Sequence, residues 1–336
     1  MTELLAVPEP LSRHYSGVIC DLDGVVFTGT KPVAGAAEAI SQARGNGLAF
    51  VFLTNNASRS PATVVSKLEG FGIAAAAEEV VTAAHGGAAL LLSADLPKGA
   101  KVLVVGTKAL VQAIEAAGFE SVTVASEKPL AVIQGWGPEV GWADLAEATY
   151  AIRAGAAYYA TNLDKTLPTE SGFAPGNGSL VAAVSTATGV TPKASGKPNR
   201  EFLELAAKRL DTDSVLVVGD RLDTDIAGAK AAGLPGLLVL TGVSSLTEAC
   251  LAPPEQRPDL ISSSLTALGQ PTKPAQQHQG RWLLGDSVAW FDQASGRIEA
   301  IQGSNLDQAL AVTAQAAWQA VDQGHHLTSA GIPNLT

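Results

Sequence analysis

The chain has 336 residues, 46% of them hydrophobic and 16% charged, with 32 acidic against 22 basic side chains for a net charge of -10. A chain of this length predicts about two domains, and its apolar content is ample for buried cores and excludes a disordered polypeptide. The acidic excess disfavours a general attraction to nucleic acid or to an anionic membrane, leaving room only for a local basic pocket.

Met1 to Tyr15 carries Glu3, Pro8 and Glu9 where a signal peptide needs a basic start and a long apolar run. Nowhere is there an apolar span of about 18 residues, so no membrane partner is expected. Cys20 and Cys250 are far apart and show no C-x-x-C spacing. Neither a disulfide framework nor a zinc signature follows, and a reducing, cytoplasmic setting fits best.

From Gly17 onward, short apolar runs alternate with longer amphipathic ones. Val18 to Cys20, Ala49 to Leu53, Val102 to Val105, Ala131 to Gln134, Val215 to Val218 and Leu237 to Leu240 read as strands. Most are continuous Val/Ile/Leu runs, the pattern of strands covered on both faces, which predicts parallel sheets with helices between. Helices are predicted over Ala34 to Asn46, Ala62 to Phe71, Glu78 to Ser93, Leu110 to Ala117, Trp142 to Ala154, Gly178 to Thr188, Arg200 to Leu210 and Thr224 to Ala232. Several stop at a glycine, the usual C-terminal punctuation.

Composition changes near Pro253. Pro253, Pro254, Pro258, Pro271 and Pro274, followed by Gln276 to Gln279, read as an irregular connector. Beyond it, Trp282 to Phe291 and Arg297 to Ile301 predict a small hairpin, and Asn305 to Gln323 a helix with Leu306, Leu310, Ala317 and Val321 along one stripe. A tail this short buries little by itself, so it is expected to dock on the main body or on a partner chain. The adjacent His325 and His326 have no further ligands at metal spacing and read as solvated residues.

Chemistry concentrates where strands end. The strand Val18 to Cys20 runs into Asp21-Leu22-Asp23-Gly24, and Val215 to Val218 runs into Gly219-Asp220, with Asp223 and Asp225 close behind. The pair Asp211 and Asp213 precedes a strand instead and reads as a polar turn. Lys101-Val-Leu-Val-Val-Gly-Thr-Lys and Ser214-Val-Leu-Val-Val-Gly-Asp-Arg are both strand-turn-helix openings, but only the second has carboxylates after its glycine. In an α/β sheet, ligands collect at the C-terminal ends of strands. Carboxylates gathered there repel each other unless a cation intervenes, and a ligand set of hard oxygens without cysteine or histidine favours Mg²⁺. Thr54, Asn55 and Asn56 follow the strand Phe50 to Leu53 and offer a hydroxyl and amides, while Lys197 offers a cation just before a helix.

In the order D-x-D-G, T-N, G-K-P, G-D-x-x-x-x-D, these residues resemble the haloacid dehalogenase-like (HAD) hydrolase superfamily, subfamily IIA of NagD-like and p-nitrophenyl-phosphatase-like phosphatases. The resemblance spans roughly residues 15 to 265 and includes Ala160 to Pro168 and Pro175 to Ser179, which are similar to the subfamily's cap. It implies an α/β fold with a Rossmann-like core and parallel sheet (1–82 and 190–270), an inserted α/β cap of the C2 type (83–189), and a small C-terminal extension (271–336) outside the common pattern. Val26 to Gly35 would be the flap after the first strand. Some actinobacterial members also carry C-terminal extensions.

The resemblance further implies a Mg²⁺-dependent phosphatase. Asp21 would attack phosphorus to give an aspartyl-phosphate, and Asp23 would protonate the leaving alcohol and then activate water. Mg²⁺ would sit on Asp21, Asp220 and the backbone carbonyl of Asp23, with Asp225 orienting its waters or Lys197. Thr54, Asn55 and Lys197 would bind phosphoryl oxygens, Asn56 is a further substrate-binding candidate, and Gly24 would allow close backbone approach.

Asn162, Asp164 and Thr169 are candidates for contact with the leaving group, or else they shape their loop. That loop lacks a dense cationic cluster and has no tryptophan, which points to a small phosphorylated metabolite of the glycerol-phosphate or phosphoglycolate kind. Nucleoside monophosphates and sugar phosphates remain alternatives, as do a phosphotransferase and a catalytically idle phosphate-binding protein. A homodimer is a further option. No G-x-G-x-x-G follows the first strand and no G-x-S-x-G occurs, so a dinucleotide-dependent dehydrogenase and a serine hydrolase are disfavoured.

Overall fold

The strands Leu260–Ser262, Gly236–Val239, Val215–Gly219 and Gly17–Cys20 lie side by side in that order and all run parallel. Every residue in them is buried, which explains their unbroken apolar character. The computed structural model describes residues 3–169 and 171–335, and the chain divides into two units, Met1–Val51 with Ala207–Thr336, and Phe52–Ala206. The strand Ala49–Thr54 crosses that division. In the first unit its opening residue, Ala49, donates its N–H to Ser16 O at 3.0 Å. After Gly24, the expected flap contains a two-residue ladder, Phe27–Thr28 against Lys31–Pro32.

The C-terminal extension belongs to the first unit. Instead of a simple hairpin it forms a four-stranded antiparallel sheet, Gln276–His278, Arg281–Leu284, Ser287–Asp292 and Arg297–Ile301. The short polar run Gln276–His278 gives no apolar alternation to reveal it. The helix Leu306–Asp322 has the predicted extent, but its predicted stripe is incomplete, because Val321 is exposed whereas Ala309, Val312, Ala314, Ala316 and Trp318 are buried. The helix has two covered sides. Ala316, Ala317 and Trp318 pack with Trp282, Ala289 and Ile298 of the small sheet, while Ala309 and Leu310 pack with Leu222, Ile226 and Leu238 of the main sheet layer. A helix apolar on most sides is a buried one, and its many alanines allow close approach.

Polar contacts fasten the same helix at both ends. Asp307 accepts from Ser262 Oγ at 2.8 Å and from the Ser263 N–H at 2.7 Å. Asp322 accepts two guanidinium hydrogen bonds from Arg257, at 3.0 and 2.8 Å. Arg257 is only 1% exposed and also lies 5.6 Å from the Trp318 ring centroid.

The Arg257 hydrogen bonds hold the Asp322 carboxyl below the usual carboxylate range. A carboxyl depressed in the folded state adds stability above its unfolded pKa, and that stability is lost as pH falls through the folded value. Asp322→Ala strands a buried guanidinium and should cost about 3 kcal/mol at neutral pH. In denaturant titrations the gap between the native chain and this variant should shrink as pH falls below the usual carboxylate range and through the depressed value of the Asp322 carboxyl. A gap independent of pH would refute the linkage.

In the second unit, Phe52–Thr54 pairs in parallel with Val80–Thr82. This corrects the single helix expected over Glu78 to Ser93. The segment divides into a short turn at Ala77–Glu79, the strand Val80–Thr82 and the helix Ala83–Leu92. Three buried residues between helix-forming neighbours are too few to register as a periodic signal.

A five-stranded parallel sheet follows, in the order Lys193–Ala194, Ala157–Ala160, Ala131–Gln134, Lys101–Val105, Glu120–Val122. The helices Trp142–Arg153 and Asn177–Thr188 contribute Ala148, Ala151, Val181 and Val184 to its core. An antiparallel hairpin, Thr166–Thr169 with Gly172–Pro175, precedes the second of these helices. Among the described residues, no helix of the protein is long and apolar enough to cross a membrane.

Candidate active site

In the first unit, parallel strands deliver carboxylates at their C-terminal ends, Asp21 after Gly17–Cys20 and Asp220 after Val215–Gly219. Asp225 lies one turn further on, in Leu222–Ile226, where Ile226 N–H reaches back five residues to Arg221 O at 3.1 Å. Such widened turns recur at functional sites. Asp21, Asp220 and Asp225 each offer one oxygen, with all three oxygens within 4.8 Å of one another, and all three residues are buried. Carboxylates so close and so poorly hydrated repel one another, and a cation between them relieves that repulsion. An all-oxygen donor set fits Mg²⁺.

Glycines and main-chain donors fix these carboxylates. Asp220 Oδ2 accepts the Val243 N–H at 2.6 Å, and its own carbonyl accepts the Ser244 N–H at 3.0 Å. A Cβ at Gly24 or at Gly242 would collide with the Asp220 carboxylate, and one at Gly219 with that of Asp225. Gly24 also has φ +89°, a conformation that disfavours any side chain. Asp225 Oδ2 accepts the Arg221 N–H at 3.1 Å. Thr241 Oγ1 donates to Gly24 O at 2.6 Å, and Ser244 Oγ accepts the Leu222 N–H at 3.1 Å.

The segment Thr241 to Ser244 thus braces both acidic turns, a role the sequence reading missed. Its only local signal is a Thr-Gly pair after a strand. Asp23 is exposed and stands outside the three-carboxylate group. Asp223 pairs with Arg221 through two hydrogen bonds, of 3.0 and 2.8 Å.

In the second unit, Thr54 closes its strand, 4% exposed, and its Oγ1 accepts the Asn56 N–H at 3.1 Å. Asn56 Oδ1 accepts from the N–H and the hydroxyl of Ser58, both at 2.7 Å. Lys197 is 6% exposed, and its Nζ donates to Leu53 O at 3.3 Å. Asn55 Oδ1 accepts the Lys197 N–H at 2.8 Å, and Asn55 Nδ2 donates to Lys197 O at 3.2 Å and to Asp164 Oδ2 at 3.1 Å.

Asn162 Nδ2 donates to Asn55 O at 2.8 Å, and Asn162 Oδ1 accepts the Asp164 N–H at 3.2 Å. Thr54, Asn55, Asn162, Asp164 and Lys197 are therefore gathered in one polar neighbourhood. Thr169 is exposed and donates to Gly172 O at 2.7 Å within its own hairpin. The Pro175-Gly-Asn-Gly stretch packs beneath this neighbourhood. Asn177 Nδ2 donates to Asn162 O at 2.9 Å, and a Cβ at Gly176 or Gly178 would collide with the carbonyls of Asp164 and Leu163.

A family model described as haloacid dehalogenase-like hydrolase matches residues 18–120, and a HAD-hydrolase-like model matches residues 194–268. The chain is 49% identical over 263 residues to the D-glycerol 3-phosphate phosphatase of Mycobacterium tuberculosis, covering 78% of this chain and 73% of that protein. It is 38% identical over 234 residues to the 5'-nucleotidase YutF of Bacillus subtilis, covering 69% of this chain and 90% of that one. The crystal structure of the Mycobacterium tuberculosis glycerol phosphate phosphatase in complex with magnesium superposes with a TM-score of 0.83 at 42% identity, covering 93% of this chain and 92% of that one. With its α/β architecture, its parallel sheet and its acidic strand ends, the chain belongs to the haloacid dehalogenase-like hydrolases.

Proposed function

We propose that the protein is a Mg²⁺-dependent phosphatase that hydrolyses a small phosphate monoester through an aspartyl-phosphate on Asp21. The observation that carries this reading is the buried group of Asp21, Asp220 and Asp225. Their carboxylates would hold Mg²⁺, which supplies positive charge between the nucleophile and the phosphate when bound. Asp21 attacks phosphorus while the ester oxygen leaves as an alcohol, dividing one displacement into two. The exposed side chain of Asp23 stands outside the three-carboxylate group and gives its proton to the departing ester oxygen, which thereby becomes the alcohol. It then takes a proton from the water that releases inorganic phosphate.

The order of the motifs assigns Thr54 and Lys197 to the phosphoryl oxygens, with Asn55 beside them in the T-N motif and Asn56 as a further candidate contact. In this reading 1–82 and 190–270 form the catalytic core, and 83–189 the cap that selects the leaving group. Both cysteines are buried thiols outside any disulfide, which supports a reducing, cytoplasmic setting.

The preferred substrate class is a glycerol-phosphate or phosphoglycolate-like ester, supported by the likeness to the mycobacterial enzyme. A nucleoside monophosphate has one observation in its favour, the Phe173 ring on the hairpin strand Gly172–Pro175, 74% exposed and available to a base. A panel of phosphorylated metabolites assayed with Mg²⁺ should give the highest kcat/KM for glycerol phosphates, and EDTA should remove activity. Phosphate release no greater than that of Asp21→Asn across the panel would defeat the reading. A preference for nucleotides that disappears in Phe173→Ala would select the second substrate class.

A further inference from the structure

We infer that Asn55 is a positioning residue that holds Lys197, and that it acts on the phosphoryl group only through Lys197. The inference rests on the phosphatase reading above. A carboxamide has one acceptor oxygen and one donor nitrogen, and both atoms of Asn55 are engaged within the protein. Its oxygen takes the Lys197 N–H at 2.8 Å, and its nitrogen faces Lys197 O at 3.2 Å and Asp164 Oδ2 at 3.1 Å. Asn55 therefore grips the main chain of Lys197 at two points, as a neighbouring strand would.

The other end of Lys197 is held by the same strand end. Its Nζ donates to Leu53 O at 3.3 Å, two residues before Asn55. Gly196 makes the approach sterically feasible, since a Cβ there would lie 2.8 Å from Asn55 Oδ1, 2.8 Å from Thr161 O and 2.9 Å from Asn162 Cβ. The grip continues outward through a series of asparagines, with Asn162 donating to Asn55 O at 2.8 Å and Asn177 donating to Asn162 O at 2.9 Å. Asn162 and Asp164, candidates for touching the leaving group, thereby share in the support of Lys197.

A lysine has a flexible four-carbon stem. Fixing its peptide and its ammonium together sets where the charge stands when phosphorus is attacked. A charge displaced by a fraction of an ångström still attracts a phosphate ester but stabilises the transition state less well.

The test is a double-mutant cycle with an aryl phosphate and Mg²⁺. Asn55→Ala should lower kcat about 30-fold and change KM by less than about threefold. In a Lys197→Ala background, the added Asn55→Ala should cost less than about threefold. A further loss of about tenfold or more in the double variant would mean that Asn55 meets the substrate itself, and the inference would fall.

A second measurement does not depend on turnover. Labelling of the Lys197 amine by an acylating reagent, followed by mass spectrometry, should be about tenfold faster in Asn55→Ala than in the native chain, because an unfixed ammonium escapes burial more often. Equal labelling overturns the inference even if the enzyme is active. An inactive native protein defeats the phosphatase reading and leaves labelling to decide the role of Asn55. If Asn55→Ala does not fold, Asn55→Ser carries the same labelling test.

Discussion

Asp21→Asn should abolish phosphate release, with a loss on the order of 10⁴-fold or more in kcat. An amide is a poor nucleophile and a poor ligand for a hard cation, so the proposed covalent step and part of the proposed Mg²⁺ site would be lost together. The companion substitution gives a different profile. Asp23 stands outside the three-carboxylate group, so Asp23→Asn should retain Mg²⁺ and inorganic phosphate binding while slowing both chemical steps by about 10²- to 10⁴-fold. Calorimetric Mg²⁺ titration of the two variants, beside rapid-quench detection of phosphorylated protein, separates them. Equal loss of Mg²⁺ affinity in both would contradict the division of labour between the two aspartates.

Trp318→Ala should be the most damaging substitution away from the acidic strand ends. Trp318 is 1% exposed, donates its indole N–H to Ala249 O at 2.8 Å and carries the Arg257 guanidinium over its ring. Its removal should cost about 3–5 kcal/mol, a large part of the stability of a typical domain. Burial pushes the thiol of Cys250, in the same apolar cluster, well above its ordinary range and keeps it unreactive. Urea titration should therefore show an earlier midpoint, and a thiol reagent should modify Cys250 faster in the variant. An unchanged midpoint would show that the extension contributes little to its unit.

How much of this was legible in the sequence differs by element. The central strands declared themselves because Val18 to Cys20 and Val215 to Val218 are buried on both faces and so are uninterrupted runs of apolar residues. Val80–Thr82 and Leu260–Ser262 did not, being three residues long and set among helix formers or prolines. Asp21 and Asp220 were legible because a strand followed by acid and glycine is a local pattern.

The bracing by Thr241 and Gly242 was not legible. It depends on contacts such as Thr241 Oγ1 to Gly24 O, across 217 positions of chain, for which no local periodicity exists. The same holds for Asn55, where composition suggested a polar group at a strand end, but only three-dimensional pairing revealed that its amide faces Lys197 and Asp164.

The helix Leu306–Asp322 has a bearing on how the extension can be studied. Through Ala309 and Leu310 it covers Leu222 and Ile226, the two ends of the widened turn that presents Asp225. A chain cut at 270 would lose the surface against which that turn is set, so an inactive truncation would say nothing about a separate regulatory or binding role for 271–336. Gene-fusion and domain-swap designs should keep the whole segment with its parent core, and point substitutions on its solvent side are the sounder way to ask what else it does.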